Sequence, residues 1–297
     1  MIWPSRSPKA VPPASGPTQP LPSRPSAPSA PQSAVVTPAH LVCEHVERRF
    51  DGNVALSDVN LTIGRGQVSV IIGGSGAGKT TLLKILIGLD RPTSGSVYIE
   101  GTDIAKLNDR ELNHIREKLG MVFQYSALLD SMTVLENVAF PLREHKRHMK
   151  DREVRERVAE KLRVLGLENT EERYPSELSG GMRKRVALAR ALMLEPSIVL
   201  YDEPTSGLDP ITSRMVDDLI VETRDRFNVT SVVISHDMAG AVRIADQIHV
   251  LAKGRVVVSG TPEELVHSKN ELVRSFLDSS GIAAERLLDE RRAAVPV

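Results

Sequence analysis

Cysteine is almost absent from this chain, with Cys43 alone among 297 residues. That excludes an intrachain disulfide framework and fits a reducing compartment. Cys43 lies in the apolar run Leu41-Val42-Cys43, so it reads as a small core residue rather than a reactive thiol. An excess of either charge is absent too: Lys plus Arg and Asp plus Glu each number 38. The whole chain therefore presents no cationic field, and no nucleic-acid partner is expected. No run approaches the roughly 18 continuous apolar residues that would span a bilayer. The start, Met-Ile-Trp-Pro-Ser-Arg, lacks the apolar segment of a secretory signal. The expectation is a cytoplasmic protein, attached to any membrane process as a peripheral subunit.

What is present has the balance of a globular protein, 41% apolar and 26% charged, long enough for a large buried core. Residues 1–38 hold 11 of the 19 prolines, with much Ser and Ala. Such a segment buries too little apolar surface to offset its ordering entropy and is expected to be a disordered or partly extended arm. Beyond it, strand and helix patterns alternate, without internal repeats. Val59, Leu61 and Ile63 alternate before the turn Gly64-Arg65-Gly66, as in a half-buried strand. Val68 to Ile72 is continuously apolar, as in a strand buried on both faces. Ser96 to Ile99, Ile198 to Tyr201 and Ser231 to Ser235 are further strand candidates. The fold class is α/β with a mainly parallel core sheet.

From about 126 to 178 the pattern is helical. Val154, Val158, Leu162 and Leu165 make one apolar stripe, and the opposite face mixes both charges, with Glu153 and Arg157 at supportive i,i+4 spacing. Mixed signs favour a solvated face over a nucleic-acid surface. Thr261-Pro262-Glu263-Glu264 combines a cap, a first-turn proline and a capping-box glutamate, so a helix starts near 262. Residues 270–290 suggest another helix, broken around Ser279-Ser280-Gly281.

The chemistry concentrates at Gly73-Gly74-Ser75-Gly76-Ala77-Gly78-Lys79-Thr80, which follows the buried strand and opens a helix over Thr81 to Leu89. This is the strand–loop–helix setting of a P-loop. Glycines let successive N–H groups curve around β- and γ-phosphates, and the helix N-terminus adds positive potential. Lys79 supplies a point charge, and the Thr80 hydroxyl is placed to ligate Mg²⁺. Asp202-Glu203, ending the strand Ile198 to Tyr201, supplies the other half of a nucleotide hydrolase. Asp202 is assigned to Mg²⁺ and Glu203 to general base or water orientation.

Leu178-Ser179-Gly180-Gly181-Met182-Arg183 resembles the signature sequence of ABC ATPases. The resemblance covers about residues 40 to 265. It implies an ABC ATPase domain over 39–265, with an antiparallel β subdomain and a helical subdomain at about 126–178, followed by a helical extension over 266–297. It also implies a head-to-tail homodimer in which Ser179, Gly180 and Gly181 close on the ATP of the other subunit. By the same resemblance, Gln124 matches the Q-loop glutamine, contributing to catalysis and to the Mg²⁺ site. Ser206-Gly207-Leu208-Asp209 matches the D-loop, with Asp209 near nucleotide, and His236 matches the switch histidine. Thr81 joins the nucleotide contacts, and Phe50 stands at the adenine-stacking position, with a core role as the alternative. Met182 departs from the commoner glutamine, so any contact there must differ.

Two further segments are similar to ATPase subunits of Mla/Mce-type phospholipid transporters. One is the signature run continued to Arg185, and the other joins residues 129–134 to Phe140-Pro141-Leu142-Arg143-Glu144-His145. The tail run Val273 to Asp278 is similar as well. The implied partners are an integral membrane permease, Mce-domain proteins and small regulatory subunits, at the cytoplasmic face of a bacterial inner membrane. The alternatives are an ABC transporter ATPase for another cargo, or a non-transport ABC ATPase. Against the last, Lys79 and Ser179 enclose no sustained heptads, and the chain has one cassette.

Overall fold

The computed structural model describes residues 39–280 and 284–294. The proline-rich arm expected over 1–38 lies outside the described residues. Chain order is β1 (Ala39–Phe50), β2 (Asn53–Gly64), β3 (Val68–Ile72), α1 (Lys79–Leu86), β4 (Ser94–Ile99), β5 (Thr102–Asp103) and α2 (Asp109–Arg116). There follow β6 (Leu119–Val122), α3 (Val134–His145), α4 (Asp151–Val164), α5 (Gly180–Ala191), β7 (Ile198–Asp202), α6 (Pro210–Phe227) and β8 (Thr230–Ser235). The chain closes with α7 (Met238–Ile244), β9 (Gln247–Ala252), β10 (Arg255–Gly260), α8 (Pro262–Val266), α9 (Glu271–Ser279) and α10 (Ala284–Ala294).

Two sheets result. The larger runs β10-β9-β3-β8-β7-β6, parallel throughout except for β10 against β9. The smaller, β2-β1-β4-β5, is antiparallel. The side-chain period of two explains why β3 is apolar at successive positions. Val70 and Ile72 enter the cluster that α3, α4, α5 and α7 complete. Ile71 enters the opposite cluster, with Leu41 and Cys43 of β1, Leu61 of β2 and Leu82 and Ile85 of α1. One strand thus serves two cores.

The helices follow local rules. In α4, Val154, Val158 and Leu162 are buried, and Arg157 pairs with Glu153 at 3.3 Å. In α8 the Thr261 hydroxyl accepts from Glu264 N at 3.2 Å, while the Glu264 carboxylate accepts from Thr261 N at 2.8 Å. Removing such a cap costs about 1 kcal/mol. α1 starts at Lys79, two residues before the expected Thr81, because Gly78 itself serves as its N-cap. It stops at Leu86, short of the expected Leu89, where Gly88 turns left-handed with φ of 67°. The α9 and α10 spans match the broken helix expected over 270–290. None of the described helices is long and apolar enough to cross a membrane.

A polar cluster ties the two sheets together. Buried His40 of β1 bonds Thr230 Oγ1 of β8 at 2.6 Å through Nδ1 and Glu100 at 3.1 Å through Nε2. Glu100, just after β4, also accepts from Lys118 Nζ at 2.7 Å, next to β6. The Lys118 hydrogen bond chiefly holds the Glu100 carboxyl down to about 2, against an ordinary value near 4.5. A depressed carboxyl stabilises the fold above its unfolded pKa, and that contribution is lost as pH falls from about 4.5 toward 2. Glu100→Gln should therefore lower the denaturation midpoint at neutral pH and flatten the loss of stability across that acidic window. Urea unfolding at a series of pH values measures both.

Candidate nucleotide-hydrolysis site

Three adjacent parallel strands end at one edge. β3 delivers Gly73, β8 delivers His236 and β7 delivers Asp202 and Glu203. Their ends are locked by main-chain bonds: Gly73 N donates to Ser235 O at 3.3 Å, and Glu203 N to Ile234 O at 2.8 Å. A crevice beyond the carboxyl ends of parallel strands is where such sheets bind ligands. Residues 74–81, Gln124, Asp202, Glu203 and His236 line one cavity there, of about 620 Å³.

The loop needs its glycines for stated reasons at two places. A Cβ on Gly73 would stand 2.7 Å from Leu251 O. Gly78 has φ of 107°, and a Cβ there would lie 2.8 Å from both Ala55 O and Leu56 Cδ2. The first cannot carry a side chain without moving β9, and the second combines that crowding with a left-handed backbone.

Inside the cavity the charges form a chain. Lys79 Nζ donates to Gly73 O at 2.7 Å and Gly74 O at 3.2 Å, folding back across its own loop. It also lies 3.4 Å from Glu203 Oε1, whose other oxygen is 2.6 Å from His236 Nδ1. Glu203 takes a left-handed φ of 46°, a conformation that costs a non-glycine residue roughly 1 kcal/mol or more. Burial raises the Asp202 carboxyl above its ordinary value, the Glu203 charge adds to this, and Lys79 opposes it. Gln124 Nε2 donates to Ser206 Oγ at 3.1 Å, linking the end of β6 to the turn after Glu203.

These groups fit a nucleoside triphosphate and a magnesium ion. The loop offers a glycine-rich cradle, anchored at Gly73 and Gly78 where no side chain fits, with one ammonium aimed across it. Among the described residues no group of three His, Cys, Asp or Glu side chains could hold a metal by itself. Thr80, Gln124 and Asp202 at the cavity wall suit Mg²⁺, which takes few protein ligands and completes its shell with phosphate and water.

Other expected residues lie elsewhere. Ser179 Oγ caps α5 by accepting from Met182 N at 3.3 Å, with Gly180 and Gly181 opening that helix. Asp209 caps α6 through Ile211 N at 3.0 Å and Thr212 N at 3.1 Å, and bonding to the Thr212 hydroxyl holds its carboxyl low. Neither cap lines the cavity. Phe50 does not reach it either: it is 42% exposed at the end of β1, with the Arg48 guanidinium 4.3 Å over its ring. Sequence reasoning missed Val54, Ala55, Lys253 and Gly254, which close one wall. Lys253 and Gly254 form the turn between β9 and β10, both with positive φ (49° and 75°), and a lone Lys-Gly carries no local sign of a nucleotide wall.

A second depression of about 410 Å³ is lined by Phe123, Leu129, Phe140 and Pro141, with Arg116 and His145 among its polar groups. Tyr125 beside it is 84% exposed. Asn137, fully buried in α3, pins the segment between them by donating to the carbonyls of Leu129, Met132 and Thr133 at 3.0 to 3.1 Å.

The model of the family described as "ABC transporter" matches residues 56–206. The probable ribonucleotide transport ATP-binding protein mkl of Mycobacterium tuberculosis is 42% identical over 247 residues, 83% of this chain and 68% of that protein. The intermembrane phospholipid transport system ATP-binding protein MlaF of Haemophilus influenzae is 41% identical over 224 residues, 75% of this chain and 84% of its own length. The dimeric post-hydrolysis structure of the ATP-binding cassette MJ0796, bound to ADP and Pi, is similar with a TM-score of 0.66. It is 38% identical and covers 74% of this chain and 98% of its own.

The geometry gives a sharp expectation for Gly78→Ala. The added methyl would have to displace Ala55 O or Leu56, so ATP binding should weaken roughly tenfold or more. Titration with a fluorescent ATP analogue measures this, with far-UV circular dichroism checking that the fold persists.

Proposed function

The chain belongs to the ABC transporter family as an ATP-hydrolysing subunit, and from that premise we propose that it powers phospholipid movement through a membrane permease. The observation that carries the ATPase half is the Lys79–Glu203–His236 chain at the ends of β3, β7 and β8. Residues 74–81 cradle the phosphates, and Lys79 leaves its own loop carbonyls to meet them. Bound through Thr80, Asp202 and Gln124, Mg²⁺ would supply neutralisation of charge on the phosphate oxygens. Glu203 orients the attacking water and takes its proton, with His236 holding the carboxylate at 2.6 Å and facing the γ-phosphate position.

The signature residues Ser179 to Gly181 stand outside this cavity, so they complete the site of a second copy in a head-to-tail dimer. Asp209 belongs to the same interface. Nucleotide binding draws the two copies together, and hydrolysis with phosphate release parts them. The apolar depression between Phe123 and Phe140 receives the permease, so that each closure moves it. Mce-domain and small regulatory subunits would complete such an assembly at the cytoplasmic face of an inner membrane.

For the cargo, support comes from the likeness to MlaF and from residues 129–134 and 140–145, which contribute Leu129, Phe140, Pro141 and His145 to the depression. The mkl relative carries ribonucleotide transport in its name, so cargo needs a direct test. Gentle detergent purification of the tagged chain from its native membrane should bring down a permease, an Mce-domain protein and bound phospholipid. Recovery of a soluble solute-binding protein instead would defeat the lipid assignment.

Glu203→Gln should bind ATP, dimerise on the nucleotide and turn over at least a hundredfold more slowly, because it keeps the shape and loses the base. Steady-state phosphate release and size-exclusion chromatography with ATP measure the two halves. Near-normal turnover would remove Glu203 from this role.

A further inference from the structure

Lys184 stands in the middle of α5 and is only 8% exposed. Burial pulls its ammonium below the ordinary lysine range, and among the described residues it pairs with no carboxylate. A buried charge without a counter-ion is costly, and a methionine at the same place would avoid that cost. Its partner is a main-chain group: Lys184 Nζ donates to the carbonyl of Gln124.

Arg190, nearly two turns further along α5, does the same to the next residues. Its Nη1 donates to Ala127 O at 2.7 Å and its Nη2 to Ser126 O at 2.9 Å. Burial lowers this guanidinium as well. Ser126 and Ala127 are both left-handed, with φ of 64° and 46°. Two consecutive left-handed non-glycine residues are strained and persist only where surroundings fix them. Three carbonyls within residues 124–127 therefore converge on two cations of one helix. At the other end of Gln124, its side-chain amide reaches Ser206 Oγ at 3.1 Å.

We propose that Lys184 and Arg190 are positioning residues for hydrolysis, a two-point tie that sets the Gln124 amide from the helix carrying Ser179 to Gly181. The proposal rests on the role given to Gln124 above. The tie has a consequence for the dimer. The N-terminus of α5 closes on the ATP of one site while its middle holds the glutamine of the other. Docking of α5 at one site is thereby felt at Gln124 in the second.

The test uses ATP hydrolysis by the full chain, for Lys184→Met, Lys184→Arg, Gln124→Ala and the Lys184→Met, Gln124→Ala double variant. Lys184→Met should lower kcat roughly tenfold while ATP KM stays within about twofold, the pattern of a misplaced reacting group rather than a damaged binding site. Lys184→Arg keeps a donor and should recover most of the rate. The double variant should be no slower than Gln124→Ala, because both changes disable one function. Parental kcat in Lys184→Met, or losses that multiply in the double variant, would overturn the tie. Parental kcat in Gln124→Ala would overturn the role of Gln124, and the tie as a positioning device with it. If Lys184→Met does not fold, Arg190→Lys carries the same test. It keeps the charge and loses the two-pronged fork, so kcat should fall with KM retained and without multiplying the Gln124→Ala loss.

Discussion

The parallel ladder of β3, β8 and β7 pairs Ile72 with Ser235 and Ile234 with Asp202. Each strand ends within a residue of its neighbour, so the three following segments leave the sheet at one height. A slip of one residue in this ladder would turn every core side chain to the opposite face. The site inherits its precision from that constraint. Lys79, Glu203 and His236 span more than 150 residues of the chain, yet form a chain of close contacts because apolar packing on both sides of the sheet forbids the alternatives.

The antiparallel sheet makes a second contribution. Its β2 brings Ala55 against the phosphate loop, where Gly254 N also donates to Ala77 O at 2.9 Å. That wall is only as well placed as the sheet itself, which is why the His40, Glu100, Lys118 and Thr230 cluster matters to a site it does not touch. Buried polar groups of this kind specify an arrangement when every member is satisfied.

Much of this was legible in the sequence, because the features involved are local. The glycine spacing of residues 73–78, the unbroken apolar run of β3 and the acid pair ending β7 each encode their role within a few residues. The short β6, interrupted by Gly120, carries too little pattern to announce a strand, and β9 and β10 were not read either. Lys184 shows the deeper limit. It sits between Arg183 and Arg185 in a run of three basic residues, and nothing local says which one is buried. That depends on the phase of α5 against the segment after β6, a long-range fact. Phe50 is absent from the cavity lining, and the contact of the Arg48 guanidinium with its ring is likewise not legible locally.

The cap of α5 settles what the unusual Met182 asks of this chain. The Ser179 hydroxyl takes its hydrogen bond from the peptide nitrogen of Met182, and the thioether side chain packs at the edge of the larger core. Every amino acid but proline brings that N–H donor. Exchanging an amide for an apolar chain at position 182 therefore leaves the serine cap of α5 intact and spends the side chain on the core instead.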